Sequence, residues 1–175
     1  MSTLIEAIEG DITTQRVEAI VNAANSSLTG GGGVDGAIHA AAGPRLLEAC
    51  RALRAESLPD GLPAGEAVAT DAFDLPARWV IHTVGPDRRA GQTDPDLLAS
   101  CFTRSLDVAR DLGAKSIALP AVGAGVFGWD AAEAARLAVD AVRAHPGVEE
   151  GEFDVVRFVL FGEKTLRAFV DALRR

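Results

Sequence analysis

Short apolar runs rich in Val, Ile and Leu alternate along the chain with longer segments whose apolar residues recur at helical spacing. Each run is bounded by turn residues, as is typical of strands buried in a sheet. The runs lie at about residues 3–8, 17–22, 66–70, 78–84, 116–122 and 153–161. The pattern predicts six β-strands.

The segments between the strands predict amphipathic helices. Apolar residues repeat three and four positions apart from Leu46, from Leu98, from Ala134 and from Leu166. Strands that alternate with helices need crossover connections, which place helices on both faces of a sheet. The sequence therefore predicts an α/β fold, a three-layer α/β/α sandwich around a mixed, mostly parallel central sheet. Such sheets bind ligands at the carboxyl ends of their strands.

Length and composition limit the number of domains and the class of protein. With 175 residues, 48% of them hydrophobic and 24% charged, the chain has the size and balance of one globular domain, which we expect to cover residues 1–175. No segment reaches the roughly 18 apolar residues of a membrane span, and the first residues lack the features of a signal peptide. We therefore expect a cytoplasmic protein with no membrane partner. Because no apolar surface stripe is evident, we expect a monomer.

The net charge of -8 and the lack of any basic run in the sequence argue against duplex nucleic acid as a partner. A phosphate ligand would have to be bound by peptide N–H groups and helix N-termini. Cys50 and Cys101 both fall at apolar positions of predicted helices, with no CxxC pair and no histidine at ligand spacing. We therefore expect buried thiols, no metal and no cofactor.

The first glycine corner, Gly30 to Gly36, lies between the strand that ends near Val21 and a predicted helix through Ala37 and His39. Its four consecutive glycines cost up to about 1 kcal/mol each in conformational entropy relative to Ala, which is high for a loop without function. Glycine lets the backbone approach a ligand and turn its N–H groups toward it. A merely flexible hairpin is the alternative.

The second glycine corner, Pro120 to Trp129, also joins a strand to a helix, for which Asp130 is a suitable N-cap. Each corner offers N–H donors and the positive end of a helix dipole. Two such units in one small domain can therefore hold a diphosphate from two sides.

Both corners match the pattern GxGxxG, so a nicotinamide-dependent oxidoreductase is a competing hypothesis. In the dinucleotide-binding fold of such enzymes the glycines follow the strand directly, and an acidic residue about 20 positions later ends the next strand. Here a polar segment from Asn22 to Thr29 intervenes, and Glu56, at about the right distance, falls in a helix end or loop. The sequence also lacks a Walker Gly-Lys-Ser/Thr motif, which excludes P-loop phosphoryl transfer.

Three polar side chains near the first glycine corner could carry chemistry. Asn22 and Asn25 offer amides that donate and accept hydrogen bonds, which suits sugar hydroxyls, although Asn is also a common turn residue. Asp35 follows the glycines at a predicted helix start, where it either stabilises the helix end or orients a water molecule. The residues alone leave both alternatives open.

Longer motifs surround these residues. They are Gly10-Asp11-Ile12-Thr13, Val21-Asn22-Ala23-Ala24-Asn25-Ser26-Ser27-Leu28, Gly30 to Gly36 continuing to His39, Ile81-His82-Thr83-Val84-Gly85-Pro86 and Gly125-Val126-Phe127-Gly128. Through them the chain resembles the MacroD-type macrodomains from end to end. The stretch from Val21 to Gly43 is long and specific, whereas either GxGxxG motif alone means little.

The resemblance implies ADP-ribose as the ligand and assigns roles along its length. Asp11 would accept a hydrogen bond from the adenine amino group, with Ile12 beside it through its backbone, and Phe161 would pack on the adenine. Asn22 would contact the ligand, and Phe127 would lie against the distal ribose. The residues implied to hold the diphosphate are Gly31, Gly32, Gly33, Val34, Gly123, Ala124, Gly125 and Val126.

The implied activity is hydrolysis of the ester between ADP-ribose and an Asp or Glu side chain, or acetate in O-acetyl-ADP-ribose. Asn25 would orient the distal ribose, and a water molecule would be positioned by Asp35 and the substrate diphosphate. The expected partners are ADP-ribose and ADP-ribosylated proteins or O-acetyl-ADP-ribose. A non-catalytic ADP-ribose reader, which needs only the cleft, is the alternative.

One position departs from the family pattern, because Gly123-Ala124 stands where a Ser-Thr pair is common. Phosphate contacts at that corner would therefore come from backbone N–H groups. Of the three histidines, we expect His39 to be structural, His82 to be a satisfied core residue and His145 to lie at the surface.

Overall fold

The computed structural model of the protein describes residues 2–175, which form one sheet of six strands. The strands are β1 (Leu4–Glu9), β2 (Ala19–Ala24), β3 (Ala67–Asp71), β4 (Trp79–Val84), β5 (Ser116–Leu119) and β6 (Val155–Leu160). Their order is β1-β6-β5-β2-β4-β3, and all neighbours are parallel except β3 and β4. The six predicted strands are confirmed, although the apolar run at 116–122 extends beyond β5.

Helices cover both faces of the sheet. They are α1 (Gly33–Ala42), α2 (Pro44–Glu56), α3 (Pro95–Leu112), α4 (Ala131–Ala144), α5 (Pro146–Glu149) and α6 (Glu163–Leu173). The four predicted helical repeats lie in α2, α3, α4 and α6, whereas the apolar pattern does not predict the short α5. None of the helices in residues 2–175 combines the length and apolar character of a membrane span.

Two hydrophobic clusters lie on opposite faces of the sheet, because successive strand residues point to opposite sides. In β2, Ile20 belongs to the cluster covered by α1 and α2, whereas Val21 belongs to the cluster covered by α3, α4 and α6. Val80 and Ile81 of β4 divide in the same way. The three-layer α/β/α sandwich is therefore confirmed.

The strand order brings both glycine corners to one edge of the sheet. β2 and β5 are parallel neighbours, with Ala19 opposite Ile117 and Ile20 opposite Ala118. The first glycine corner follows β2 and the second follows β5, so both lie at the carboxyl edge. β1, β6 and β4 run in the same direction, and the segments that follow them reach the same edge. This is the edge where such sheets bind ligands.

His145 is buried, so the expectation that it lies at the surface is wrong. The residue is only 2% exposed. Its Nε2 lies 2.7 Å from Asp107 Oδ1, and its Nδ1 accepts a hydrogen bond from the Gly147 N–H. By contrast, Cys50 and Cys101 are buried free thiols, as expected.

Candidate functional site

The residues expected at the adenine end follow two neighbouring strands. Asp11 and Ile12 come after β1, and Phe161 comes after β6, which pairs with β1 in parallel. Phe161 is 90% exposed, which is rare for a large aromatic residue, whereas Ile12 is buried. Asp11 Oδ1 accepts hydrogen bonds from the backbone N–H and the hydroxyl of Thr13, at 2.9 and 2.6 Å. A carboxylate and an exposed aromatic ring therefore stand at this end of the sheet edge.

The first glycine corner turns directly into α1. Gly32 is the N-cap of α1, where it offers no side chain to the free N–H groups of the first turn. A Cβ on Gly36 would overlap the carbonyl oxygen of Gly31, so the corner folds back closely enough to require glycine there. Asn25 Nδ2 donates to the carbonyl oxygen of Gly30 at 2.8 Å. This bond ties Asn25 to the corner that it precedes.

Asp35 lies in the first turn of α1 and is only 6% exposed. Its Oδ1 accepts a hydrogen bond from Asn22 Nδ2 at 2.8 Å and lies 3.4 Å from His39 Nε2, one helical turn away. A Cβ built on Gly31 would lie 3.5 Å from Asp35 Oδ2 and 3.6 Å from Asn25 Nδ2. Asp35 and Asn25 therefore converge on the same glycine. An open depression of about 400 Å³ lies beside Gly31; its lining includes Gly31 and His39 but neither Asp35 nor Asn25.

Asn22 lies behind Asp35 and away from the surface. It has no exposed area and stands on β2 opposite His82 of β4. Its Nδ2 lies 2.8 Å from Asp35 Oδ1 and 3.2 Å from His82 Nδ1. The side chain of Asn22 is therefore turned toward Asp35 and His82 and not toward the surface, and its expected contact with a ligand stays a prediction.

Burial controls the ionisation of two groups beside Asn22 and Asp35. It lowers the pKa of His82 to about 3, an effect that His39 reinforces, so the imidazole is neutral at physiological pH. The expectation that His82 is a satisfied core residue is confirmed, since both ring nitrogens have polar neighbours. Burial, together with the negative charge of Asp35, raises the pKa of Cys50 to about 11, so Cys50 remains a thiol.

The connection between His82 and Asp35 through Asn22 was not predicted from the sequence. A signal for it was present in the strand pattern. Asn22 and His82 are polar residues within two apolar runs, and they face each other once β2 and β4 are paired in register. Two polar side chains at matching positions of adjacent buried strands indicate a shared partner.

The second glycine corner is packed against apolar side chains. Gly123 has a φ of +86°, and a Cβ there would lie 2.8 Å from Leu98 Cδ1 and 3.1 Å from Trp129 Cδ1. The Trp129 indole N–H donates to the carbonyl oxygen of Pro86 at 2.9 Å. Ala124 forms an isolated bridge with Trp129. The corner is therefore fixed by packing and by the indole hydrogen bond.

Both corners present backbone where a diphosphate is expected. Gly33 and Val34 begin α1, and the first N–H groups of a helix have no partner within it. Gly125, Val126 and Phe127 form the tip of the second glycine corner, where Val126 is 77% exposed and Phe127 is half-buried. The following helix, α4, begins as predicted, with Asp130 as its N-cap.

A family model for the Macro domain matches residues 21–138. The chain is 54% identical over 172 residues to a macro domain-containing protein of Streptomyces nogalater, covering 98% of this chain and 92% of the relative. It is 52% identical over 171 residues to a macro domain-containing protein of Streptomyces coelicolor, covering 98% and 99% of the two chains.

Solved structures agree with these relatives. The Oceanobacillus iheyensis macrodomain with ADP superposes with a TM-score of 0.91 at 41% identity, covering 96% of this chain and 88% of that one. The Trypanosoma brucei macrodomain in complex with ADP-ribose superposes with a TM-score of 0.87 at 37% identity, covering 97% and 68%. The chain therefore belongs to the macro domain family.

Proposed function

We propose that the protein binds ADP-ribose and hydrolyses the ester that joins it to an Asp or Glu side chain, or to acetate in O-acetyl-ADP-ribose. Binding is supported by two related macrodomains whose structures contain ADP and ADP-ribose. Hydrolysis rests on one observation, the buried carboxylate of Asp35 that Asn22 holds at the start of α1. The proposal places the chain in the MacroD-type subgroup, which its motifs resemble.

The strand order supports one direction for the ligand along the sheet edge. Adenine lies at the β1/β6 end, where Asp11 accepts from its amino group and Phe161 stacks on the ring. The diphosphate lies between the glycine corners that follow β5 and β2, next to the N-terminus of α1. The distal ribose then reaches Phe127, Asn25 and Asp35. With a net charge of -8, the protein binds this anion through local N–H groups and not through its overall field.

Helix stabilisation alone does not account for Asp35. An acidic residue in the first turn interacts favourably with the helix dipole without any particular side-chain partner. Asp35 instead has one oxygen bonded to Asn22 and close to His39, and the other beside Gly31. A carboxylate that must keep a fixed orientation toward a bound water needs such support.

In the proposed reaction one water molecule is added across the ester. The Asp35 carboxylate and a diphosphate oxygen both accept hydrogen bonds from this water, which relieves the repulsion between the two anions and orients the water toward the ester. Cleavage of the ester C–O bond gives ADP-ribose with a free hydroxyl and the free carboxylate of the acid, and one proton passes to solvent. Asn25 orients the distal ribose for this attack.

Two alternatives make different demands on the site. A reader of ADP-ribose needs the cleft and gains nothing from a supported carboxylate at its distal end. An oxidoreductase needs an acidic residue at the end of a strand to bind the ribose, but Glu56 is the last residue of α2. The support of Asp35 therefore favours the hydrolase.

Turnover by the purified protein tests the proposal. Release of ADP-ribose is measured from a glutamate-modified protein and from O-acetyl-ADP-ribose, and calorimetry compares ADP-ribose with NAD. We expect turnover of at least one ester and a preference for ADP-ribose. Binding without turnover of either ester would replace the hydrolase by the reader, and preference for intact NAD would favour the oxidoreductase.

A further inference from the structure

Asp35 is one end of a buried chain of polar side chains that crosses two strands. Asn22 Nδ2 lies 2.8 Å from Asp35 Oδ1 and 3.2 Å from His82 Nδ1. His82 Nε2 lies 3.0 Å from Thr70 Oγ1 on the edge strand β3 and 3.8 Å from Cys50 Sγ on α2. These side chains therefore link the carboxylate of Asp35 to Thr70 on the edge strand of the sheet.

The directions of these hydrogen bonds follow from the donors and acceptors. An ionised Asp35 only accepts, so the NH₂ group of Asn22 must face it. The same nitrogen faces His82 Nδ1, which must therefore be an unprotonated acceptor. The ring proton lies on Nε2 and is donated to the Thr70 hydroxyl, which in turn donates to the carbonyl oxygen of Asp71 at 3.0 Å. The tautomer of His82 with its proton on Nε2 therefore gives each hydrogen bond from Asp35 to Asp71 one donor and one acceptor.

This arrangement is costly for folding. Asn22 and His82 have no exposed surface, and among residues 2–175 Asn22 Oδ1 has no hydrogen-bond partner. A buried polar atom without a partner loses its hydrogen bonds to water and gains none in the fold. Asn22 leaves its oxygen unpaired while both of its amide hydrogens serve acceptors. Asp35 and His82 therefore fix the direction of the Asn22 NH₂ group, although the amide oxygen is left without a partner.

We propose that His82 is a positioning residue for the reaction, because its unprotonated Nδ1 fixes the Asn22 amide that holds the Asp35 carboxylate, while Thr70 fixes the His82 tautomer. This inference rests on the proposed function of Asp35. A protonated Nδ1 would repel the Asn22 amide hydrogens and turn the amide, so that its oxygen would face the carboxylate. Asp35 would then rotate away from the bound water.

Thr70→Val tests the far end of the chain without touching the cleft. The substitution removes the acceptor for the His82 Nε2–H and keeps the shape of a half-buried residue. We expect kcat for the ester substrate to fall about tenfold, with affinity for ADP-ribose within about twofold of wild type, because misplacement of a group by 1 Å can cost roughly 100-fold. Thr83→Val is the matched control, since the Thr83 hydroxyl on β4 donates to the carbonyl oxygen of Glu66, just before β3, and not to His82.

Two substitutions of His82 separate positioning from packing. His82→Asn can place an oxygen where the imidazole has Nδ1, whereas His82→Gln places its amide nearer the position of Nε2. We expect His82→Asn to keep more of kcat than His82→Gln, while their melting temperatures fall alike. Equal losses of kcat in these two variants, or equal kcat in Thr70→Val and Thr83→Val, would overturn the inference.

Nitrogen-15 NMR of the imidazole gives a readout that does not depend on turnover. We expect an unprotonated Nδ1 and a protonated Nε2 in the wild-type protein, and a protonated Nδ1 would overturn the inference. If the wild type hydrolyses no ester, the proposed function fails. The NMR spectrum still decides whether His82 accepts from Asn22.

Discussion

The two glycine corners differ in what surrounds their glycines. In the first glycine corner, Gly31 lies beside the polar side chains of Asn25 and Asp35. In the second, Gly123 is enclosed by Leu98 and Trp129. Both corners join a strand to a helix at the same sheet edge, yet one is surrounded by hydrogen-bonding groups and the other by apolar packing.

This difference matches the two requirements of the proposed function, which are to hold the diphosphate and to orient the side chain that acts on the ester. Packing gives a rigid frame that can hold a diphosphate through its backbone, whereas a polar network gives a side chain a fixed direction. Changes at the first corner should therefore alter rate more than affinity. Changes at the second corner should alter stability and affinity together.

Removal of the carboxylate at the first corner should produce the largest effect on rate. We expect Asp35→Ala and Asn25→Ala each to lower kcat by about 100-fold or more, the lower end of the range for one general acid–base group. ADP-ribose affinity should change far less. Ester hydrolysis and calorimetry measure the two quantities. Asp60→Ala, an exposed loop carboxylate, is the control. Full activity of Asp35→Ala would remove its proposed role.

The glycines of the second corner should respond according to the space around them. Gly123→Ala combines a left-handed φ with a clash against Leu98, so we expect a loss of about 2–4 kcal/mol in unfolding free energy and weaker ADP-ribose binding. Gly125 has a similar φ of +83°, but a Cβ there meets no atom of residues 2–175 within 4 Å. Gly125→Ala should cost only about 1–2 kcal/mol. Chemical denaturation measures both, and equal losses would contradict the packing argument.

The burial of His82 behind the first glycine corner predicts that the free energy of unfolding depends on pH. Burial lowers the pKa of His82 from 6.5 to about 3, so below pH 6.5 the unfolded chain binds a proton that the folded chain does not. The folded state therefore loses stability as the pH falls from 6.5 toward 3, and this group has no effect well above 6.5. At pH 5 the loss is about 2 kcal/mol.

Denaturation of wild type and His82→Asn at pH 7 and pH 5 measures this contribution. The wild type should lose about 2 kcal/mol more than the variant between the two pH values. The same pH dependence in both proteins would show that His82 is not held neutral by the fold.

A change at the adenine end should affect binding alone. Phe161 is 90% exposed, so its removal disturbs little packing. We expect Phe161→Ala to weaken ADP-ribose binding about tenfold, since stacking of a base on an aromatic ring is worth about 1–3 kcal/mol. The melting temperature should stay within a degree or so of wild type. Leu4→Ala, at another exposed apolar residue, should leave affinity unchanged, and a tenfold loss there would point to a general surface effect.

Much of the fold follows from periodicity because each signal is local. Short apolar runs and helical repeats gave six strands and four helices, and the strand–glycine–helix order placed both corners at one edge. Asp130 as the cap of α4 also follows from neighbouring residues alone. The motifs around Asn25 and Asp35 identified the macro domain family and singled out these two residues. The structure places both side chains beside Gly31. Their roles stay predictions.

The error at His145 and the unforeseen burial of Asn22 concern polar residues whose partners are distant in sequence. His145 looks like a surface residue before a proline, but its burial depends on Asp107, which lies on another helix. Asn22 follows the pattern of a polar residue at a ligand site, but its side chain is buried against His82 of β4, 60 positions along the chain. The burial and hydrogen bonds of such residues depend on how helices pack and which strands pair, and neither follows from neighbouring residues alone.

The last helix determines which side of the molecule is available for attachment. Arg143, at the end of α4, donates to the carbonyl oxygens of Leu173 and Arg175, so these residues lie at the amino edge of the sheet. Thr3, just before β1, is also at that edge. A dye, bead or fusion partner joined near either residue would sit on the opposite side from the glycine corners. The protein can therefore be tethered to a sensor surface with its cleft facing the solution.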